Sequence, residues 1–168
     1  MHPPRLFALR RRPRPATHGQ TLVEFALVVP LMLLLFMGIF DLGFGVYAYN
    51  TVANAAREGV RTAIVNQTPA DIASRAAAQA TALGIRTSST SCPISGSSGV
   101  CVQFLTPDLA STCSPLSIGC IAQVTVKYTY SPVTPLISRL VGPVAITSTS
   151  DQPIESVCTD GTTQCPIP

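Results

Sequence analysis

From Phe25 to Phe40 the chain runs sixteen residues without a charge, and Gln20–Glu24 and Asp41–Tyr49 extend the mainly apolar stretch to 30 positions. A bilayer needs about 20 helical residues, so the pattern predicts one transmembrane helix over 20–49. Glu24 falls near one interface. Asp41 follows 17 residues later, roughly 26 Å along a helix rising ~1.5 Å per residue, close to the other interface. Tyr47 and Tyr49 fit an interfacial aromatic belt. Pro30 lies inside the run, where a membrane helix tolerates it better than a soluble one.

The helical pattern continues past the apolar run. Asn50–Val65 is alanine-rich and free of proline. Steps of three and four residues collect Gly38, Asp41, Gly45, Ala48, Val52, Ala55, Gly59 and Thr62, most of them small. Such a seam lets another helix approach closely, which marks Gly38, Gly45, Ala48, Ala55 and Gly59 as helix-packing positions. Asn66-Gln67-Thr68-Pro69 then breaks the pattern. Thr68 reads as an N-cap, Pro69 as a first helical residue and Asp71 as a capping acid, opening a second helix over Pro69–Leu83 with Gly84 as its stop.

Beyond Gly84 the period changes. Thr87–Gly99 is a Ser/Thr/Gly-rich loop, and Val100–Leu105 reads as a short strand. Ile121–Tyr130 alternates clearly. Ala122, Val124, Val126, Tyr128 and Tyr130 fall on one face, and Gln123, Thr125, Lys127 and Thr129 on the other. Pro132 and Pro135 end it, Leu136–Val141 makes one helical turn, and Val144–Ser150 is a third strand. The expected fold is α+β: a long N-terminal helix with one transmembrane span, then a small disulfide-containing domain with a second helix and about three strands. The expected domains are 1–19, 20–49 and 50–168.

Charge orients this arrangement. Charged residues make up only 11% of the chain, against about 25% in soluble proteins. Arg5, Arg10, Arg11, Arg12 and Arg14 precede residue 20 with no acid among them, and from residue 50 onward six basic residues balance six acids. Arginine beside a span is retained inside. Residues 1–19 therefore form a basic cytoplasmic leader, broken by Pro3, Pro4, Pro13 and Pro15, and residues 50–168 lie outside the cytoplasm. The near-neutral distal part offers no basic face to nucleic acid.

All six cysteines lie in the second half: Cys92, Cys101, Cys113, Cys120, Cys158 and Cys165. An even number in a loop-rich extracytoplasmic segment suggests disulfides. Near-neighbour pairing gives Cys92–Cys101, Cys113–Cys120 and Cys158–Cys165 as the simplest of the possible sets. A zinc site is the rival reading, but no C-x-x-C pair occurs and the only histidines, His2 and His18, lie in the leader.

Catalytic parts are missing. There is no G-x-S-x-G elbow, H-E-x-x-H pair or phosphate-binding glycine loop, and no histidine follows Gly19. Asp151 and Glu155, with Pro153 between them, read as solvated surface charges. Asn66-Gln67-Thr68 is a glycosylation triplet of the kind expected by chance. The sequence predicts no enzyme, no cofactor, no metal and no small-molecule substrate.

Gly19-Gln20-Thr21-Leu22-Val23-Glu24 resembles a type IV prepilin cleavage site: glycine at the junction, a carboxylate five residues on, then an apolar helix. Three further blocks resemble the TadE-like family of tight-adherence (Flp) pilus assembly proteins. They are Glu24-Phe25-Ala26-Leu27-Val28-Val29-Pro30, Gly38-Ile39-Phe40-Asp41-Leu42-Gly43 and Asn54-Ala55-Ala56-Arg57-Glu58-Gly59-Val60-Arg61. Pro30, six residues after the glutamate, favours this group over major pilins. The resemblance implies a pseudopilin of the bacterial cytoplasmic (inner) membrane, cut between Gly19 and Gln20 by a prepilin peptidase. It also implies that Glu24 pairs with the new terminal amine of a neighbouring subunit, and that the partners are the lipid bilayer and other pilin-like or pilus-assembly membrane proteins. The alternative is an uncleaved, membrane-anchored extracytoplasmic binding domain. A secretory or twin-arginine leader fits worse, because Arg10-Arg11-Arg12 runs into Pro13 and no A-x-A site follows the apolar run.

Overall fold

The computed structural model of the protein describes residues 18–85 and 92–157. One helix, α1 (His18–Ala63), carries the whole apolar run and its alanine-rich continuation, with Pro30 inside it. It ends where Gln67 folds back. The Gln67 carboxamide donates to the Ala63 carbonyl at 3.3 Å, meeting one of the acceptors every helix C-terminus leaves open. Asn66 shapes the turn, accepting the Thr68 N–H at 2.8 Å and donating to the Asp71 carboxylate at 3.1 Å.

The second helix, α2 (Pro69–Gln79), starts on the expected proline. It stops four residues before the expected Leu83. Ala80 leaves helical backbone geometry (φ −114°, ψ 23°), and Thr81–Leu83 tighten into a 3₁₀ turn that ends on Gly84 in the left-handed conformation (φ 67°). A tightened last turn before a left-handed glycine is a common helix ending.

Three strands form one antiparallel sheet in the order β1 (Ser98–Leu105), β2 (Ile121–Tyr130), β3 (Val144–Pro153). A seven-residue helix, α3 (Pro135–Val141), connects the last two. β2 holds its expected limits. Its neighbours outrun theirs: Ser98 pairs with Tyr128 at one end and Pro153 with Ile121 at the other. The central strand's ten residues present backbone groups on both sides that need partners, and that demand extends β1 into the serine-glycine loop and β3 into a polar run. Ile154 prolongs the edge, exchanging backbone bonds with Cys120 (2.8 Å) and Gly119 (3.2 Å).

The chain falls into two compact units, the first ending at Phe36 and the second beginning at Met37. In the first, the described residues from Gly19 onward are exposed all round, except the half-buried Val29. In the second, the core lies between the helices and one face of the sheet. Ala48, Val52, Ala55, Val60 and Ala63 of α1 meet Ile72, Ala73 and Ala76 of α2, and Val100, Val124 and Val126 of the sheet. Small side chains bring α1 close. A Cβ built on Gly59 would stand 2.8 Å from Val124 Cγ1 and 3.1 Å from Ala76 Cβ. The opposite sheet face is polar, with the Thr125 and Thr149 hydroxyls 2.9 Å apart and Gln103 donating to Gln123.

Candidate functional site

Two carboxylates punctuate the apolar run of α1, and their surroundings differ. Glu24 is exposed, and Gln20 Nε2, one turn earlier, donates to its Oε1 at 3.3 Å. Asp41 is 8% exposed. Its Oδ1 accepts the Tyr130 hydroxyl at 2.8 Å and the Val133 N–H at 3.0 Å, and its Oδ2 accepts the Thr134 N–H at 3.0 Å. The end of β2 and the entry to α3 are thus fastened to the helix through one side chain. A buried carboxylate is costly unless donors surround it, and the distal chain supplies three.

Phe44 completes this latch, its ring centroid 5.4 Å from that of Tyr130. Burial, and then the Asp41 carboxylate against its hydroxyl, push the Tyr130 pKa up to about 12. The sequence pattern put Tyr130 on the correct strand face and Asp41 in the small-residue seam, but did not join the two. The signal for the latch was available: an acid in the helical seam, and a tyrosine at the last inward position of the strongest strand.

The helix-packing positions divide along α1. Ala48 and Ala55 are fully buried, and Gly59 is wedged between α2 and β2 as described. Gly38 has Ile137 Cδ1 of α3 within 3.8 Å of where its Cβ would be, while nothing lies within 4 Å of that point on Gly45. Gly38 and Gly45 line an open apolar groove with Leu42, Ile137, Val141 and Val144.

The structure forms the disulfides Cys92–Cys101 and Cys113–Cys120, with Cα–Cα distances of 5.2 and 6.1 Å. The first covers the polar sheet face beside β1, and the second closes the loop before β2. The expected Cys158–Cys165 bond lies outside the described residues. Sequence reading also missed the role of Gln67. Buried at the end of α1, its carboxamide donates to the Ser156 carbonyl at 2.8 Å and ties the segment after β3 to the helix. Among the described residues, no group of three or more His, Cys, Asp or Glu side chains is placed to hold a metal ion.

Residues 19–61 match the family model described as TadE-like protein. The match covers about a quarter of the chain and takes in Gly19, Gln20, Glu24, Asp41 and Gly59. It coincides with the three sequence blocks that resemble this family. Comparisons with curated proteins and with solved structures find no match. α1 is long and apolar enough to cross a membrane.

Proposed function

We propose that the chain is a non-enzymatic, single-pass membrane component of a tight-adherence (Flp) pilus assembly system, pseudopilin-like and processed after Gly19. One observation carries the reading: the TadE-like match lies on the helix whose apolar N-terminal stretch its own chain leaves bare. An exposed apolar surface of that extent needs a nonaqueous or protein environment. The arginine-rich leader keeps the N-terminus in the cytoplasm and sends the sheet domain outward through the inner membrane. Gly19 then stands on the cytoplasmic side, within reach of a prepilin peptidase.

Trimming there leaves Gln20 as the terminus, four residues before Glu24. In an apolar bundle an ionised Glu24 requires a positive partner, and the terminal amine of a neighbouring pilin-like subunit is the right charge at the right depth. The partners are therefore the bilayer, the peptidase and other pilus-assembly membrane proteins.

N-terminal sequencing and intact mass of the membrane-bound protein, in cells with and without the peptidase, test the processing. The expected mature chain begins at Gln20 only where the peptidase is present. A chain that keeps its arginine-rich leader in peptidase-competent cells overturns processing and leaves an anchored extracytoplasmic domain.

A further inference from the structure

The β2–β3 connection exposes more apolar surface than a soluble loop needs. Leu140 is 87% exposed, Val133 78% and Val141 58%. These side chains do not stand alone. The connection packs beside α1 at Gly38 through Ile137, and Asp41 clamps the Val133 and Thr134 backbone. Its height along the helix is therefore fixed.

We propose that this connection, residues 131–143 with α3, is a second membrane contact lying in the interfacial layer of the bilayer beside α1. The proposal rests on the reading of α1 as a membrane span. A span of about 20 residues counted from Gln20 ends at Ile39, and one counted from Phe25, after Glu24, ends at Phe44. Either count places Gly38 inside the apolar layer, so Ile137 beside it cannot stand in bulk water. The charge pattern fits the same depth. Between residues 131 and 150 the sole charged residue is Arg139, and there is no acid. Arg139 is exposed, and an arginine at the edge of an apolar helical face reaches headgroups while its neighbours bury in acyl chains. The partner is a lipid surface with anionic headgroups, and α3 acts as a float that sets how deep the sheet domain rides.

The chain contains no tryptophan, which allows a direct test with the full-length protein in vesicles of phosphatidylethanolamine and phosphatidylglycerol. Leu140→Trp and Val133→Trp replace exposed side chains and disturb no packing. Leu33→Trp reports on the span, and Ile118→Trp, 72% exposed in the loop before β2, reports on water. With lipids brominated near the headgroup, Leu140→Trp and Val133→Trp emission is expected to fall by about a factor of two, with little loss to aqueous iodide. Leu33→Trp is quenched by deeply brominated lipid, and Ile118→Trp by iodide alone. If Leu33→Trp responds to lipid while both connection tryptophans respond only to iodide, the float is overturned and the span stands. Shielding of those tryptophans from both quenchers that disappears on dilution in lipid identifies a second copy of the chain as the occupant, and also overturns it. Failure of Leu33→Trp to respond to lipid overturns the membrane reading itself.

Discussion

The two stretches of α1 share one helix and an apolar character, yet only one is used by its own chain. Up to Phe36 every apolar side chain but the half-buried Val29 faces outward. From Met37 onward one stripe is buried in the sheet domain and held by Asp41. Hydrophobicity alone does not separate them: Leu27 and Leu31 are far more apolar than Ala48 and Ala55, and it is the alanines that are buried. What separates them is side-chain size. The alanine and glycine stripe admits a sheet at close range, whereas the leucine and phenylalanine belt offers bulk to a partner outside the chain.

Substitutions sharpen that contrast. Gly59→Leu inserts a side chain where even a Cβ would press on Val124 and Ala76, and should destabilise the sheet domain by about 3 kcal/mol, the upper end for overpacking. Thermal unfolding of the full chain in nanodiscs measures it, and a wild-type midpoint would show that α1 does not seat against β2. Asp41→Ala removes the acceptor for three donors at once and should cost about 2–3 kcal/mol. Preserved protection of the Val133 and Thr134 amides in hydrogen exchange would contradict the latch.

Replacing Cys113 and Cys120 together by serine opens a short loop and should cost ~2 kcal/mol by the loop-entropy model, read as a lower unfolding midpoint under nonreducing conditions. Tyr130→Phe keeps the ring against Phe44 and loses the hydroxyl bond, for about 1 kcal/mol. Its clearer signature is in pH. The folded state holds the Tyr130 proton from the ordinary value of 10.0 up to about 12. The tyrosine is thus neutral in the folded chain where the unfolded chain has already ionised, and stability falls as pH rises through that window. Tyrosinate absorbance of the wild type should show a late-ionising step that Tyr130→Phe lacks. Smallest of all, Gly43→Ala meets nothing within 4 Å and should stabilise the chain by about 0.8 kcal/mol through the helix propensity of alanine. A large effect there would mean that the bare side of the helix is covered after all.

Local chemistry was legible from the residues. The long apolar helix, the turn at Asn66–Pro69, the limits of β2 and the two short disulfide loops follow from run length, proline placement, alternation and spacing, each visible within one local stretch of sequence. Contacts between distant positions were not. Asp41 meets residues 130–134, and Gln67 meets Ser156, through folding that no local period encodes. The same limit explains β3. Its Ser148 and Ser150 alternate too weakly to mark an inner face, and the strand takes its full length from the ladder that β2 presents.

The latch also carries a schedule. Asp41 lies 89 to 93 residues upstream of the groups that hold it, and a chain made from its N-terminus presents that carboxylate long before its donors exist. The helix forms while Asp41 is still hydrated, and the sheet domain closes on it once residues 130–134 have been made. Folding is thereby ordered, with the helix first and its capture second, and a stall between them leaves the small-residue stripe of the helix uncovered.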